Sequence, residues 1–289
     1  MKILMTGSHG FVGSNLIESL APNYTIIRWD VREDRPLPGC DAVIHLAGLA
    51  HDTKHTTEDE KYYEVNTELT KKIYDKFLES GARKFIFFSS IKAQNGDTAY
   101  AKSKRLAEEY ILSRKQGYKE TGIQGDKQTI VLRPCMIHGK GNKGNLNLLV
   151  KWVRKGWPWP LAAFEKKRSF ASMGNVSFIV DKLLNSEVES GVYNVCDDEP
   201  VSTNELISII CRCMGRETHL WRIPKVLMKG FAKAGDILRL PLNTERLGKL
   251  TDSYVVDNSK IKMALGIIEL PVKAQFGLNA TINSMINQQ

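Results

Sequence analysis

Thr6-Gly7-Ser8-His9-Gly10-Phe11-Val12-Gly13 decides the reading of this chain. The stretch stands between the apolar run Ile3-Leu4-Met5 and a helical pattern from Phe11 to Leu20, so its glycines occupy a strand-to-helix turn. Glycine there lets the turn close tightly, lets backbone N–H groups approach a diphosphate, and lets the helix pack on the strand. The helix N-terminus meets the phosphates with its partial positive charge. The spacing is G-x-x-G-x-x-G, and in this context Gly7, His9, Gly10, Phe11, Val12 and Gly13 form a candidate dinucleotide cradle. On its own such a spacing often makes nothing more than a turn.

Working outward, short apolar runs alternate with helical patterns, which predicts a doubly wound parallel α/β sheet. Tyr24 to Trp29 and Ala42 to Leu46 read as strands, the latter ending at Ala47-Gly48. Asn66 to Glu79 reads as a helix stopped by Gly81. Phe85 to Phe88 is a buried strand reaching Ser89-Ser90, and Ala99 to Ser113 is a helix followed by a polar loop from Gln116 to Gln128. Thr129 to Leu132 is a further strand, closed by Arg133-Pro134. Beyond Pro134 the glycines at 139, 141 and 144 open a helix near Asn145, and Trp157-Pro158-Trp159-Pro160 is extended. Helices are expected around 176–186, 202–214, 223–238 and 271–284, with short strands near 192–195 and 254–257. Residues 1–138 are expected to form the nucleotide-binding domain, with later segments returning to it. Residues 139–289 are expected to form mainly a smaller, mixed α/β substrate lobe.

The 289 residues are 42% hydrophobic and 25% charged, an ordinary globular composition. No apolar run approaches the ~20 residues of a membrane span. The N-terminal run breaks at Thr6-Gly7, too early for a signal peptide, and the five scattered cysteines suit reduced thiols, so a cytoplasmic protein is expected. The formal charge of +9 comes without a nucleic-acid motif, so a diphosphate-bearing small molecule is the simpler partner. Stable membrane insertion is not expected. Lys225 to Arg239 has amphipathic spacing, but Gly230, Gly235 and Asp236 turn that reading from a membrane face toward a lid or interface helix. His51 and His55 are spaced i,i+4 without a zinc motif around them, so no metal is expected. Trp157 and Trp159 alternate with prolines, as a packed extended segment does.

Tyr100 and Lys104 lie at i,i+4 and share a helix face. Oxidising an alcohol by hydride transfer needs a base for its proton, and a tyrosine of ordinary pKa near ~10 needs a neighbouring cation to serve. Lys104 supplies one and is placed to hold a nicotinamide ribose; Ser90 is placed to hydrogen-bond the substrate oxygen. Y-x-x-x-K is also a common coincidence on helices, and its weight comes from its order after the glycine turn and the Ser89-Ser90 strand end. Asp30 follows the second strand, where an acid takes adenosine ribose hydroxyls in NAD. Arg28 and Arg32 flank it and suit the 2′-phosphate of NADP, which stays open.

With these residues the chain resembles the extended short-chain dehydrogenase/reductase family, in its NAD-dependent epimerase/dehydratase branch. The motifs are Thr6-Gly7-x-x-Gly10-Phe11-x-Gly13, Asp41 to Gly48, Val65-Asn66-Thr67, Ser89-Ser90, Tyr100-x-x-x-Lys104 and Leu132-Arg133-Pro134. Arg168-Ser169-Phe170 and Asp257-Asn258-Ser259-Lys260 match more loosely. Ser89 to Lys92 and Leu250 to Lys260 look most like a bacterial polysaccharide subgroup of UDP-glucose or UDP-N-acetylglucosamine 4-epimerases, which includes 4-ketoreductases of UDP-6-deoxy-N-acetylhexosamines. The resemblance implies a Rossmann-type fold, NAD as cofactor with NADP as the alternative, and contacts to it from Leu46, Ala47, Gly48, Asn66 and Pro134. It implies a UDP-sugar held by Ser90, Asn145, Arg168 and Arg246, and a homodimer through the helices near 66–79 and 99–113.

A 4,6-dehydratase of this family carries an Asp-Glu pair just after the catalytic hydroxyl residue; here that place holds Ile91-Lys92, which disfavours dehydration. The reading is a C4 epimerase in surface-polysaccharide precursor synthesis, with the 4-ketoreductase as alternative. A non-catalytic NAD(P)-sensing protein is the contrasting class, and such proteins often lose the Tyr/Lys pair. Two departures stand out: nine residues separate Ser90 from Tyr100, and ten separate Asp30 from Asp41, both shorter than the family's usual segments.

Overall fold

The computed structural model describes residues 1–50, 57–120, 127–142, 144, 146–238, 243–251 and 253–287; the side chains of 115–120, 238, 245, 246, 249 and 250 lie outside the description. In chain order the elements are β1 (Lys2–Thr6), α1 (Phe11–Leu20), β2 (Thr25–Trp29), β3 (Ala42–His45), α2 (Asp59–Tyr62), a π turn (Tyr63–Glu68) and α3 (Leu69–Glu79). There follow β4 (Lys84–Phe88), α4 (Lys92–Asn95), α5 (Ala99–Glu120), β5 (Gln128–Pro134), β6 (Met136–His138) and α6 (Leu146–Arg154). Next come β7 (Lys167–Arg168), β8 (Phe170–Ser172), α7 (Met173–Asn185), β9 (Gly191–Val195), β10 (Val201–Ser202) and α8 (Thr203–Cys213). The last are α9 (Lys225–Leu238), α10 (Thr244–Thr251), α11 (Ser259–Leu265) and α12 (Ala274–Asn287).

Two compact units emerge. The first comprises Met1–Cys135, Asn175–Val195 and Asp257–Glu269; the second comprises Met136–Gly174, Cys196–Val256 and Leu270–Gln289. In the first, six strands pair in the order β2-β1-β3-β4-β5-β9, every pairing parallel. A sheet with both faces covered calls for continuous apolar strands, and all four residues of β3 and all five of β4 are buried. One face packs Leu4, Val43, Phe85, Phe87 and Val131 against Ile73, Tyr74 and Phe77 of α3 and Ala107 and Ile111 of α5. The chain leaves β1 on one side for β2 and on the other for β3 onward. The topological switch therefore lies between β1 and β3, at the strands' C-terminal edge, where such sheets take ligands. The second unit packs α6, α8, α9 and α12 around Val150, Leu161, Ile207, Ile210, Leu278 and Ile282, with two small sheets, β7–β10 and β6–β8. A capping box at Ser202 and Glu205 starts α8.

Several boundaries differ from expectation. The helix expected from Asn66 begins at Asp59, because the π turn carries the helical path back through Val65-Asn66-Thr67. Helix α5 runs past Ser113 to Glu120, taking up part of the expected polar loop. Residues 254–257 form no strand, only a bridge between Tyr254 and Arg168. No strand occupies 31–40, so β2 is a sheet edge; Lys76 ties this crossover to α3 by donating to Glu33 O at 3.1 Å.

His45 closes β3 in full burial, stacked on Phe85 and Phe87. Its Nδ1 is 2.7 Å from Thr6 Oγ1 and its Nε2 is 3.0 Å from Thr70 Oγ1. Thr6 Oγ1 already accepts the N–H groups of Leu46 and Ala47, each at 3.2 Å, so its proton goes to His45 Nδ1. The ring's Nε2–H then donates to Thr70, whose hydroxyl donates to Asn66 O at 2.8 Å. Burial, and to a lesser extent the Lys104 charge, holds His45 down at about 3. The unfolded chain binds this proton from about pH 6.5 downward, so stability is intact above that pH and falls as the pH drops toward 3. Unfolding free energies from urea titrations across pH 6.5 to 4 will show a slope shallower in His45→Gln than in the wild type, by up to ~1.4 kcal/mol per pH unit. Equal slopes refute a buried neutral His45.

Candidate active site

At the switch point the backbone is too crowded for side chains. Gly7 has φ +66°, and a Cβ there would lie 2.6 Å from Ala47 N and 2.7 Å from Leu46 C. A Cβ on Gly13 would lie 2.8 Å from Ser8 Cα, so α1 sits directly on the turn. Gly10 precedes α1 in extended conformation with no side-chain cap, leaving the first-turn N–H groups of Phe11 and Val12 for an anion. His9 is exposed beside them, near enough to lower the Asp30 pKa. This is a cradle a diphosphate fits.

Gly48, just past β3, continues the same edge. A Cβ there would lie 2.7 Å from Asn66 Oδ1 and 3.1 Å from Lys104 Nζ. Asn66 is fully buried in the π turn; its Oδ1 accepts from Leu49 N at 2.8 Å, and its Nδ2 donates to Leu49 O and Ser103 Oγ, both at 3.2 Å. Lys104 is 4% exposed, donates to Phe88 O at 3.0 Å and lies 4.9 Å over the Phe87 ring. Burial pulls its pKa down to about 8, against the opposing pull of Glu108.

Tyr100 begins α5, with its ring 6.0 Å from that of Tyr62 in an edge-on contact. Ser90 and Tyr100 share a side-chain hydrogen bond. Burial raises the phenol pKa while that bond lowers it, so the free protein keeps Tyr100 protonated. The short approach between them is α4, clamped to α5 because Arg105 donates to Ala93 O and Gly96 O, both at 2.7 Å. The structure thus brings Ser90, Tyr100, Lys104, Gly48 and Asn66 to one strand edge. Leu46 and Ala47 adjoin Gly7 there, and Pro134 O accepts from Ile91 N at 3.1 Å.

Sequence reading missed the support beneath. Glu108, one turn past Lys104 on the same face, is 2% exposed, accepts from the Ser89 hydroxyl, and is held by Arg133 through Nε at 3.0 Å to both oxygens. That triad joins α5 to the ends of β4 and β5. The spacing Tyr100, Lys104, Glu108 was the available signal. Asp30 follows β2 with its carboxylate gripped by Arg32, which holds its pKa at about 2. Arg28 is exposed on β2. Of the substrate candidates, Asn145 lies outside the described residues, as do His51 and His55. Arg246 is placed in α10 by its backbone alone. Arg168 is half-buried in the second unit, paired with Val201.

Holding Lys104 below its ordinary ~10.4 withholds stability at pH 7, by at most about 3 kcal/mol, and returns it as the pH climbs from 8 toward 10.4. The melting temperature of Lys104→Met at pH 7 will therefore stay level with that of the wild type or rise. A lower melting temperature overturns the strained charge.

The NAD dependent epimerase/dehydratase family model matches residues 3–196. The UDP-glucose 4-epimerase of Vibrio cholerae is 30% identical, covering 92% of this chain and 90% of that protein. The N-acetyl-alpha-D-glucosaminyl-diphospho-ditrans,octacis-undecaprenol 4-epimerase of Escherichia coli O157:H7 is 26% identical, covering 77% and 75%. Among solved structures, the UDP-glucuronic acid 4-epimerase from Bacillus cereus in complex with NAD superposes with a TM-score of 0.74 at 17% identity, covering 99% of each chain, and shares the fold. A family model spanning the glycine turn, the Ser90–Tyr100–Lys104 cluster and β9, together with a relative matched nearly end to end, gives the conclusion that the chain belongs to the NAD dependent epimerase/dehydratase family.

Proposed function

We propose that the protein is an NAD-dependent 4-epimerase of a UDP-hexose or UDP-N-acetylhexosamine, working by hydride transfer at C4. The observation that carries the reading is the joining of Ser90, Tyr100 and Lys104 at the strand edge that also bears the glycine cradle. The 4-epimerase names of two relatives support the reaction at C4. Gly7, His9, Gly10, Phe11, Val12 and Gly13 would hold the diphosphate of the dinucleotide, Asp30 its adenosine ribose, and Lys104, with Asn66 behind it, its nicotinamide ribose. Leu46, Ala47, Gly48 and Pro134 line the same edge. Asp30 follows β2 where an acid takes the adenosine ribose hydroxyls of NAD, while Arg32, paired with it, is the group that would meet the 2′-phosphate of NADP.

When bound, the dinucleotide supplies a hydride acceptor at C4 that later becomes the donor. Tyr100, whose phenolate is stabilised by nearby positive charge, takes the C4 hydroxyl proton and returns it when the alcohol re-forms. Ser90 hydrogen-bonds the same oxygen and Tyr100 together. Lys104 contributes its charge and fixes the ribose. Ile91 is buried and Lys92 is exposed where a dehydratase has its acid pair, so that place offers no carboxyl for eliminating water. Arg168, Asn145 and Arg246 are assigned to the UDP diphosphate, for which guanidinium forks are suited. The homodimer through α3 and α5 and a cytoplasmic location, consistent with five free cysteines, complete the reading.

One observation favours the 4-ketoreductase: no strand occupies 31–40, and a shorter adenosine side eases cofactor exchange. Denaturing the purified protein and identifying the released dinucleotide separates the two, since retained NAD marks the epimerase and an empty site that accepts NADPH marks the reductase. Tyr100→Phe will lose about 100- to 10,000-fold in turnover with NAD affinity intact, read by fluorescence titration. Equal turnover in both proteins removes Tyr100 as the acid/base, whereas NAD binding with no turnover in either favours a sensing protein.

A further inference from the structure

Helix α9 carries a broad apolar face open to solvent. At 3.6 residues per turn, Met228, Ala232 and Gly235 fall together and form its buried side. Away from them Val226, Leu227, Phe231 and Ile237 are 80%, 55%, 59% and 83% exposed, with Gly230 and Ala234 between them. Lys225, Lys229 and Lys233, all exposed, follow one another at i,i+4 along one border of this face. Trp221, 57% exposed, lies just ahead of the helix. Single exposed apolar side chains are ordinary, but a contiguous face of them beside a row of ammonium groups marks an interaction site.

The features that argue against a lipid surface in the bare sequence are spent elsewhere in the fold. Gly235 is buried, so it interrupts nothing on the open face. Asp236 accepts from Thr244 N at 3.0 Å and from the Thr244 hydroxyl, closing the approach to α10. Gly230 has no atom within 4 Å of where a Cβ would stand, and the helix continues through it. Two copies of this face packed antiparallel about a twofold axis would bring lysine rows of a +9 chain together. An anionic bilayer takes both halves of the pattern, the apolar side chains below the headgroups and the ammonium groups among the phosphates.

We propose that α9 docks the protein on a bilayer rich in anionic phospholipid, with Val226, Leu227, Phe231 and Ile237 entering the headgroup boundary and Lys225, Lys229 and Lys233 facing the lipid phosphates. The proposal is independent of the redox reading. The test sediments the full chain with vesicles of phosphatidylcholine, with and without phosphatidylglycerol. The wild type will bind the mixed vesicles and lose most of that binding in high salt. The double variant Phe231→Ser/Ile237→Ser will bind on the order of tenfold more weakly, with unchanged melting temperature and NAD affinity. The triple variant Lys225→Gln/Lys229→Gln/Lys233→Gln will lose the preference for phosphatidylglycerol. No binding by the wild type, or equal binding by wild type and double variant, overturns the proposal. So does a solution dimer that the double variant dissolves, which would assign the face to a second copy.

Discussion

The site depends on one close approach: the turn after β1 meets the turn after β3 with no room for a side chain at Gly7. Because β1 and β3 pair directly through Thr6 and His45, the two turns stay in contact past the strand ends, and the crevice lies beyond that contact. Thr6 then does double work, accepting the N–H groups of Leu46 and Ala47 while reaching His45 with its proton. The crevice walls are therefore hydrogen-bonded backbone, which moves less than side chains do. That rigidity suits a cradle whose contacts are mostly amide groups.

Around this frame the protein concentrates buried polar groups. His45 is kept neutral, Lys104 is charged in a space where burial opposes its charge, and Glu108 is paired with Arg133 beneath it. Each is satisfied by a specific partner, as buried polar groups must be. The same network that costs stability at Lys104 orders α5 against β4, since Ser89 and Phe88 O lie at adjacent positions of the strand end. Reactivity and rigidity are in this sense properties of the same hydrogen bonds.

The parallel sheet was legible in the sequence because apolar runs at β3 and β4 alternate with helical spacing, and the glycine turn announced the ligand edge. The Tyr100/Lys104 pair was legible for the same local reason, an i,i+4 spacing. What stayed hidden is non-local. Glu108 finds Arg133 across 25 residues and His45 finds Thr70 across 25, distances over which periodicity carries no signal. The π turn was also hidden, because Tyr63–Glu68 has nothing in its residue types to separate it from ordinary helix. Asn145 and Arg246 were reached by resemblance alone, since a lone asparagine or arginine carries no periodic signal.

That π turn has a consequence for how the sequence can change. A π turn accommodates more residues per turn than α-helix, and at 3.6 residues per turn each residue of α-helix rotates the next by about 100°. Asn66, whose amide is matched on one side to Leu49 and on another to Ser103, sits inside the turn, while Ile73, Tyr74 and Phe77 are in register with the sheet beyond it. Removing one residue from 63–68 would restore regular helix only by swinging one of these two sets away from its partners. Substitutions can accumulate here one by one, but an insertion or deletion cannot. The segment is locked in length even where it is free in composition.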